Sequence, residues 1–209
     1  MRKGICLLLL ACLTIPVFAE DEEEQTLFSG DVTNGGFGGP AVKLTKVKDE
    51  FGLLVGGRGG WIINHTLCIG GGGYGLVNYI PVDPLMDESE IPLKDPVLGM
   101  GYGGFEMEYV HNSSRLVHST FNLFVGAGGV GIRERQDGIG EWEHDDHHMN
   151  WDSFFIVEPE FNAELNVTSF FRLNAGASYR FVSGVDKYGL TNADIGGPSV
   201  VLMFKFGKF

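Results

Sequence analysis

The densest group of chemistry-capable side chains is the run Glu141-Trp142-Glu143-His144-Asp145-Asp146-His147-His148. Imidazole nitrogen and carboxylate oxygen at such close spacing suit Zn²⁺ or another divalent transition metal, and His144, Asp145, His147 and His148 are the candidate ligands. Their spacing matches no metalloprotease helix, and the plainer expectation is a solvated acidic loop. A second group, His111-Asn112-Ser113, has the His-x-Ser spacing of a base beside a nucleophile. Serine chemistry requires the base within hydrogen-bond reach and a carboxylate to orient it, and in the topology read below the pair falls in a short turn, away from the end where a lipid substrate would lie. His118 and Thr120 repeat the spacing without the serine. The glycine-rich run from Ile69 to Gly75 resembles a phosphate cradle only in composition, because no Lys-Ser or Lys-Thr follows and its flanks read as strand.

A third group is more regular. Arg58, Glu106, Glu108, Glu158, Glu160, Glu164, Arg172, Arg180 and Lys205 each fall on the alternate row of a segment whose other row is apolar. Period-two alternation of this kind describes a strand with two unlike faces. Opposite charges on one face are expected to pair, Glu164 with Arg172 across a turn and Glu158 with Arg180 on a diagonal. The same Glu rows could serve as acid and base groups, but pairing with the nearby cations is the simpler assignment.

The segment from Phe51 to Ile80 shows the alternation best. Phe51, Leu53, Val55 and Trp61 share one row, and Leu54 and Arg58 the other. After a break at Asn64-His65, Leu67, Ile69, Val77 and Tyr79 oppose Cys68, Tyr74 and Asn78. Two such arms about a short turn make a β-hairpin. Further strands are expected at about 41–48, where Val42 and Leu44 alternate with Lys43 and Thr45, and at about 98–110, 116–132 and 155–167. Two more run from Phe171 to Phe181 and from Val200 to Phe206. Pro159, inside the cleanest of them, costs a ladder hydrogen bond or marks a bulge.

The connections are short at 48–50, 64–65, 111–115 and near 168, and long at 81–96, 133–152 and 183–198. All three long ones therefore fall at one end of the strand array. Soluble sandwiches have no reason to segregate loops in this way, whereas transmembrane barrels do, with short turns on the periplasmic side and long loops outside. Eight strands enclose an interior just wide enough for side chains to fill it. The expected fold class is all-β, an eight-stranded antiparallel up-and-down transmembrane barrel with a closed ionic lumen.

The remaining composition agrees with export. Arg2 and Lys3, an apolar run from Ile5 to Leu13 and the small-residue site Val17-Phe18-Ala19 read as a cleavable signal at 1–19. An acidic and glycine-rich segment at 20–40 follows, and the barrel domain is expected over 41–209. The formal charge is −12 for the whole sequence and about −14 once Arg2 and Lys3 leave with the signal. That balance excludes nucleic acid as a partner, which rewards basic surfaces. Cys68 is the only cysteine beyond the signal, so no internal disulfide can form, and a small buried side chain is expected there. No apolar run is long enough for a transmembrane helix.

The signal, the eight amphipathic strands, the one-sided loops and the terminal Phe209 together resemble the small outer-membrane barrels of the OmpA-transmembrane-domain and OmpX type. The resemblance implies a bacterial outer-membrane location and a monomer in contact with outer-membrane lipid, lipopolysaccharide and the barrel-insertion machinery. No enzymatic activity is expected, and no cofactor other than the divalent metal that the His144 loop residues themselves suggest. The expected role is structural or surface-interacting, in adhesion or envelope integrity, through acidic outer loops. A narrow porin-like solute or ion channel is the alternative. A lipid A-modifying enzyme dependent on Ser113 is the third reading.

Overall fold

The computed structural model describes residues 32–82, 95–135 and 151–209. Eight strands run β1 Asn34–Val47, β2 Glu50–Ile63, β3 Leu67–Leu76, β4 Pro96–His111, β5 Val117–Glu134, β6 Asp152–Asn166, β7 Phe171–Ser183 and β8 Gly197–Lys208. A single turn of helix, α1 (Asn192–Ile195), precedes β8. Each strand pairs antiparallel with its sequence neighbours and β1 pairs with β8, which closes the barrel. The eight-stranded up-and-down fold expected from the alternation is therefore the fold observed.

Two boundaries differ most from expectation. β1 begins at Asn34 rather than near Ala41, because Asn34-Gly-Gly-Phe-Gly-Gly-Pro40 pairs residue by residue with Gly57–Ile63 of β2. β3 stops at Leu76, and the side chain of Asn78 then takes over its ladder with β2. Asn78 Oδ1 accepts from the Leu53 N–H at 2.7 Å, and its Nδ2 donates to the Phe51 carbonyl at 2.7 Å.

The turns at the two short β1–β2 and β2–β3 connections use left-handed backbone. Lys48 and Asp49 have φ of 51° and 62°, and Asn64 and His65 have 51° and 55°. Two consecutive positive φ values match the right-handed twist of flanking strands in a tight hairpin. Pro159 introduces no bulge, since the β6–β7 register is the same at Val157↔Phe181 and Glu160↔Ser178 on either side of it.

Rows sort as the alternation requires. Phe105, Phe155, Phe161, Phe181 and Val200 stand outside, with Phe105 82% exposed, while Lys43, Arg58, Glu158, Asn162 and Arg180 are buried inside. The barrel can be this narrow because many inward positions carry no side chain. A Cβ on Gly56 would strike the carbonyl of Gly73, and one on Gly104 would strike that of Val125. Neighbouring backbones pass through the space those side chains would fill, as glycine in a strand permits at a close approach.

The long connection between β7 and β8 folds back into the barrel mouth. Val185, Tyr188, Leu190 and Ile195 are buried there against Val47, Leu54, Phe154 and Ile156. Polar groups pin it in place. Asp152 Oδ2 accepts from the N–H groups of Asp186 and Lys187 at 2.8 and 3.0 Å, Asn192 Oδ1 accepts from the Val185 N–H at 3.0 Å, and the Lys48 N–H donates to the Asp194 carbonyl at 2.7 Å.

The glycine packing generates a test. Gly56→Val places methyl groups in the Gly73 backbone and is expected to abolish the folded, heat-modifiable band on unboiled gels. Gly75→Ala, which faces open space, is expected to keep it.

Candidate functional site

The interior of the barrel is the site that the charge pattern singles out, and it is built in tiers. Inward residues of each strand lie two apart, so each tier collects one side chain from several strands.

Nearest the short turns, Lys205 is the hub. Its Nζ donates to Glu108 Oε1 and Oε2 at 2.6 and 2.8 Å and to Glu164 Oε2 at 2.6 Å. Arg172 Nη1 donates to Glu164 Oε1 at 2.9 Å, so these two residues meet across the β6–β7 turn. His118 Nε2 lies 3.1 Å from the same Glu164 oxygen, and Asn174 Nδ2 donates to the other at 3.2 Å. The Lys205 ammonium also lies 4.9 Å from the centre of the Phe37 ring, a residue supplied by the early part of β1.

In the middle tier Arg58 Nη2 donates to Glu160 Oε1 at 2.9 Å, and its Nη1 lies 3.5 Å from Glu106 Oε2. The amides of Asn162 and Asn122 add hydrogen bonds to Glu160 and Glu106 at 3.0 and 3.2 Å. Met203 Sδ packs on the guanidinium, 3.3 Å from Nε.

The upper tier contains a correction. Glu158 takes its cation from Lys43, at 2.9 Å, and not from Arg180. Tyr102 Oη and Ser178 Oγ donate to Glu158 at 3.1 and 2.5 Å, and the Lys43 ammonium stands 4.1 Å over the Tyr74 ring. Arg180 instead turns toward the folded-back loop, with Nε donating to the Ile195 carbonyl at 2.8 Å and Nη2 to Thr45 Oγ1 at 3.3 Å. It therefore ties the ionic interior to the apolar plug above it.

Lys43 and His118 are missing from the set of expected charges. Lys43 is legible in principle, since it alternates with Val42 and Leu44. Among the described residues, the three ionic tiers thus gather five carboxylates (Glu106, Glu108, Glu158, Glu160, Glu164) and five cations (Lys43, Arg58, Arg172, Arg180, Lys205), while Asp152, buried above them at the long-loop mouth, accepts from backbone N–H groups. Pairing is the chemistry this arrangement performs: charges removed from water persist only when paired and hydrogen-bonded.

The other sequence candidates fare differently. His144, Asp145, His147 and His148 lie outside the described residues. Ser113 lies in the β4–β5 turn, where its carbonyl accepts from Asn166 Nδ2 at 2.9 Å, while His111 Nε2 lies 2.8 Å from Asn112 Nδ2. The Ile69–Gly75 run is strand, and Cys68 is buried and free. Phe209 turns its ring onto Arg172, 4.0 Å from the guanidinium carbon, and packs partly buried at the short-turn mouth. Beneath it a recess of about 510 Å³ opens between His65, Ser113, Asn166 and Thr168.

Breaking one partner of a buried pair leaves an uncompensated charge, at a cost of about 3–5 kcal/mol. Lys205→Met is therefore expected to lower the urea midpoint of the folded barrel by that equivalent. Lys205→Met with Glu108→Gln is expected to recover part of the loss. A double variant no better than the single one would remove Lys205 from its place as hub.

No protein-family model matches the sequence, and no curated protein matches it. Solved structures do. The crystal structure of Neisserial surface protein A superposes with a TM-score of 0.58 at 11% identity, over 86% of this chain and all (100%) of that one. Ail, the attachment invasion locus protein of Yersinia pestis, in complex with the heparin analogue sucrose octasulfate, matches at TM-score 0.46 and 13% identity, covering 83% of this chain and 97% of that one. A major outer membrane protein from Thermus thermophilus matches at TM-score 0.42 and 9% identity, covering 83% and 99%. The closed antiparallel ring, the apolar exterior and the first of these superpositions agree, and the fold is that of the small eight-stranded outer-membrane β-barrels.

Proposed function

We propose that this chain is a bacterial outer-membrane protein without transport or enzymatic activity, acting at the cell surface in adhesion or envelope integrity. The observation that carries this reading is a lumen filled by its own side chains. The ionic tiers occupy the centre, and the plug of Val185, Tyr188, Leu190 and Ile195 occupies the long-loop end. A solute would have to displace paired charges and packed apolar groups together.

The exterior supports the location. A belt of exposed Phe105, Phe155, Phe161, Phe181 and Val200 belongs in hydrocarbon, and a closed sheet leaves no strand edge to solvate there. With the wall in lipid and the lumen filled, the surface left for a partner is at the two rims. In sequence, the connections 83–94 (between β3 and β4) and 136–150 (between β5 and β6) carry Asp83, Asp87, Glu88, Glu90, Asp137, Glu141, Glu143, Asp145 and Asp146. Acidic connections of this kind favour basic surfaces and cations as partners over anionic ones.

Planar-bilayer recording separates this reading from the porin-like alternative. The full chain, inserted and heat-modifiable, is expected to give no steady conductance steps. Regular ohmic steps from the unaltered protein would sink the plugged-lumen reading. Exchanging 136–150 for a Gly-Ser linker of equal length is then expected to reduce surface binding of cells that display the chain, with barrel assembly unchanged.

A further inference from the structure

The short-turn mouth of the barrel holds a cation whose hydrogen-bonding capacity is only partly used. Arg172, the second residue of β7, stands where the ionic lumen meets that mouth. Its Nη1 donates to Glu164 Oε1 at 2.9 Å, and among the described residues no other acceptor meets its guanidinium. The side edge formed by Nε and Nη2 is therefore unspent. That edge is also reachable. Arg172 keeps 11% of its side chain exposed where Glu164 keeps 1%, and neither Nε nor Nη2 is among the buried polar atoms that lack a partner. Arg172 lines the recess of about 510 Å³ below Phe209, and the free edge opens into it.

Two contacts hold the guanidinium in place. Glu164 fixes one end, and its other oxygen is taken by Lys205 Nζ at 2.6 Å and Asn174 Nδ2 at 3.2 Å, so it is not free to swing round and close the second edge. The Phe209 ring covers one face, 4.0 Å from the guanidinium carbon. An acceptor must therefore approach in the guanidinium plane, the direction in which two parallel N–H groups meet the two oxygens of a carboxylate. The ring also keeps water from that face, and a charge less exposed to water attracts a counter-ion more strongly.

The walls of the recess select what the carboxylate is attached to. The β2–β3 turn brings His65, the β4–β5 turn Ser113 and Ser114, and the β6–β7 turn Thr168 and Ser169. Asn166 ties the last two turns together, its Nδ2 donating to the carbonyls of Ser113 and Arg115 at 2.9 and 2.8 Å. Thr168 Oγ1 accepts from the N–H groups of Phe170 and Phe171 at 3.3 and 3.0 Å, which leaves its O–H to donate. Among the described residues no Asp or Glu lines this space. Its volume falls within the range of roughly 300–1,000 Å³ typical of small-molecule sites. A bare inorganic anion would occupy the arginine edge and leave the hydroxyl walls unused, whereas a fatty acid would set hydrocarbon against them.

We infer that Arg172 binds the carboxylate of a small hydroxylated acid, the chemistry of a sugar acid, whose hydroxyl groups are received by His65, Ser113, Ser114 and Thr168. The site lies at the opposite end of the barrel from the long connections, so it adds to the surface role proposed above and does not depend on it.

The test uses the full chain, labelled with ¹⁵N, folded in neutral detergent and titrated with glucuronate, glucose and acetate. Each protein is first checked for its heat-dependent gel shift. Glucuronate is expected to move the Arg172 Nε–H resonance and to bind about tenfold more tightly than glucose or acetate. Arg172→Lys keeps a cation for Glu164 but offers no paired edge, and is expected to weaken glucuronate binding by about tenfold. If that variant fails to fold, Ser114→Trp, which fills the recess from an exposed turn position, is expected to weaken binding at least as much. An unmoved Arg172 resonance, glucose binding equal to that of glucuronate, or unaltered affinity in the folded variants would overturn the proposal. Acetate binding as tightly as glucuronate would overturn it as well, because the hydroxyl walls would then contribute nothing. A uronic-acid tetrasaccharide that binds more tightly than glucuronate would trace the ligand to a glycan chain, and one that binds more weakly would trace it to a free acid.

Discussion

In the outer-membrane reading proposed above, the structure follows from the need to satisfy backbone hydrogen bonds where water is absent. A strand edge in hydrocarbon leaves a row of donors and acceptors unmet, each at a cost of several kcal/mol. The pairing of β1 with β8 therefore decides whether the other seven ladders can exist in a membrane. That seam is formed partly by Gly36–Gly38 of β1 against Phe206–Lys208 of β8, and bare glycines there let the two backbones close.

Closing only eight strands makes the ring narrow, and the narrowness governs the interior. Where the neighbouring strand passes close, as at Gly56, Gly104, Gly126 and Gly207, no side chain fits. Where space remains, there is little room for hydration, so an inward charge must find another inward charge. Lys205 between Glu108 and Glu164, Arg58 between Glu106 and Glu160, and Lys43 beside Glu158 are consequences of that crowding. The equal numbers of carboxylates and cations within the three ionic tiers leave those tiers formally neutral, which a low-dielectric interior requires more strictly than a surface does.

Much of this is legible in the residues alone. Alternation over Phe51–Trp61 and Phe155–Val167 assigns rows to the outer wall or the lumen correctly because a strand's side-chain period is two. The first half of β1 is not legible. Asn34 to Pro40 holds four glycines, an asparagine and a proline, which carry no alternation, and only its pairing with β2 makes it strand. The same gap hides Phe37, which lies against Lys205. The Glu158 partner is hidden for a related reason: Arg180 is near Glu158 in the register of two adjacent strands, whereas Lys43 reaches it across the lumen from β1. Adjacent-strand pairs can be inferred from turns, but contacts across a barrel depend on its closure. The folded-back loop reads as an open polar segment because Val185, Tyr188, Leu190 and Ile195 are too widely spaced to show a period.

The placement of those four residues also bears on where apolar burial can act in such a protein. In a membrane, lipid tails at the outer wall would be as apolar as phenylalanine, so the exposed belt would gain little by leaving one for the other. Inside, the comparison is with water, and the ordinary hydrophobic effect returns. The plug and Val47, Leu54, Phe154 and Ile156 belong to the buried apolar cluster inside the barrel. The plug lies at the end where three of the four connections are long. At the opposite end three short turns restrain the strands, and the interior there is ionic. Arg180 joins the two regimes, buried among polar groups below and bonded through Ile195 to the plug above. Apolar packing thus supplies cohesion at the rim where the connections supply least, which accounts for a hydrophobic cap on an otherwise polar lumen.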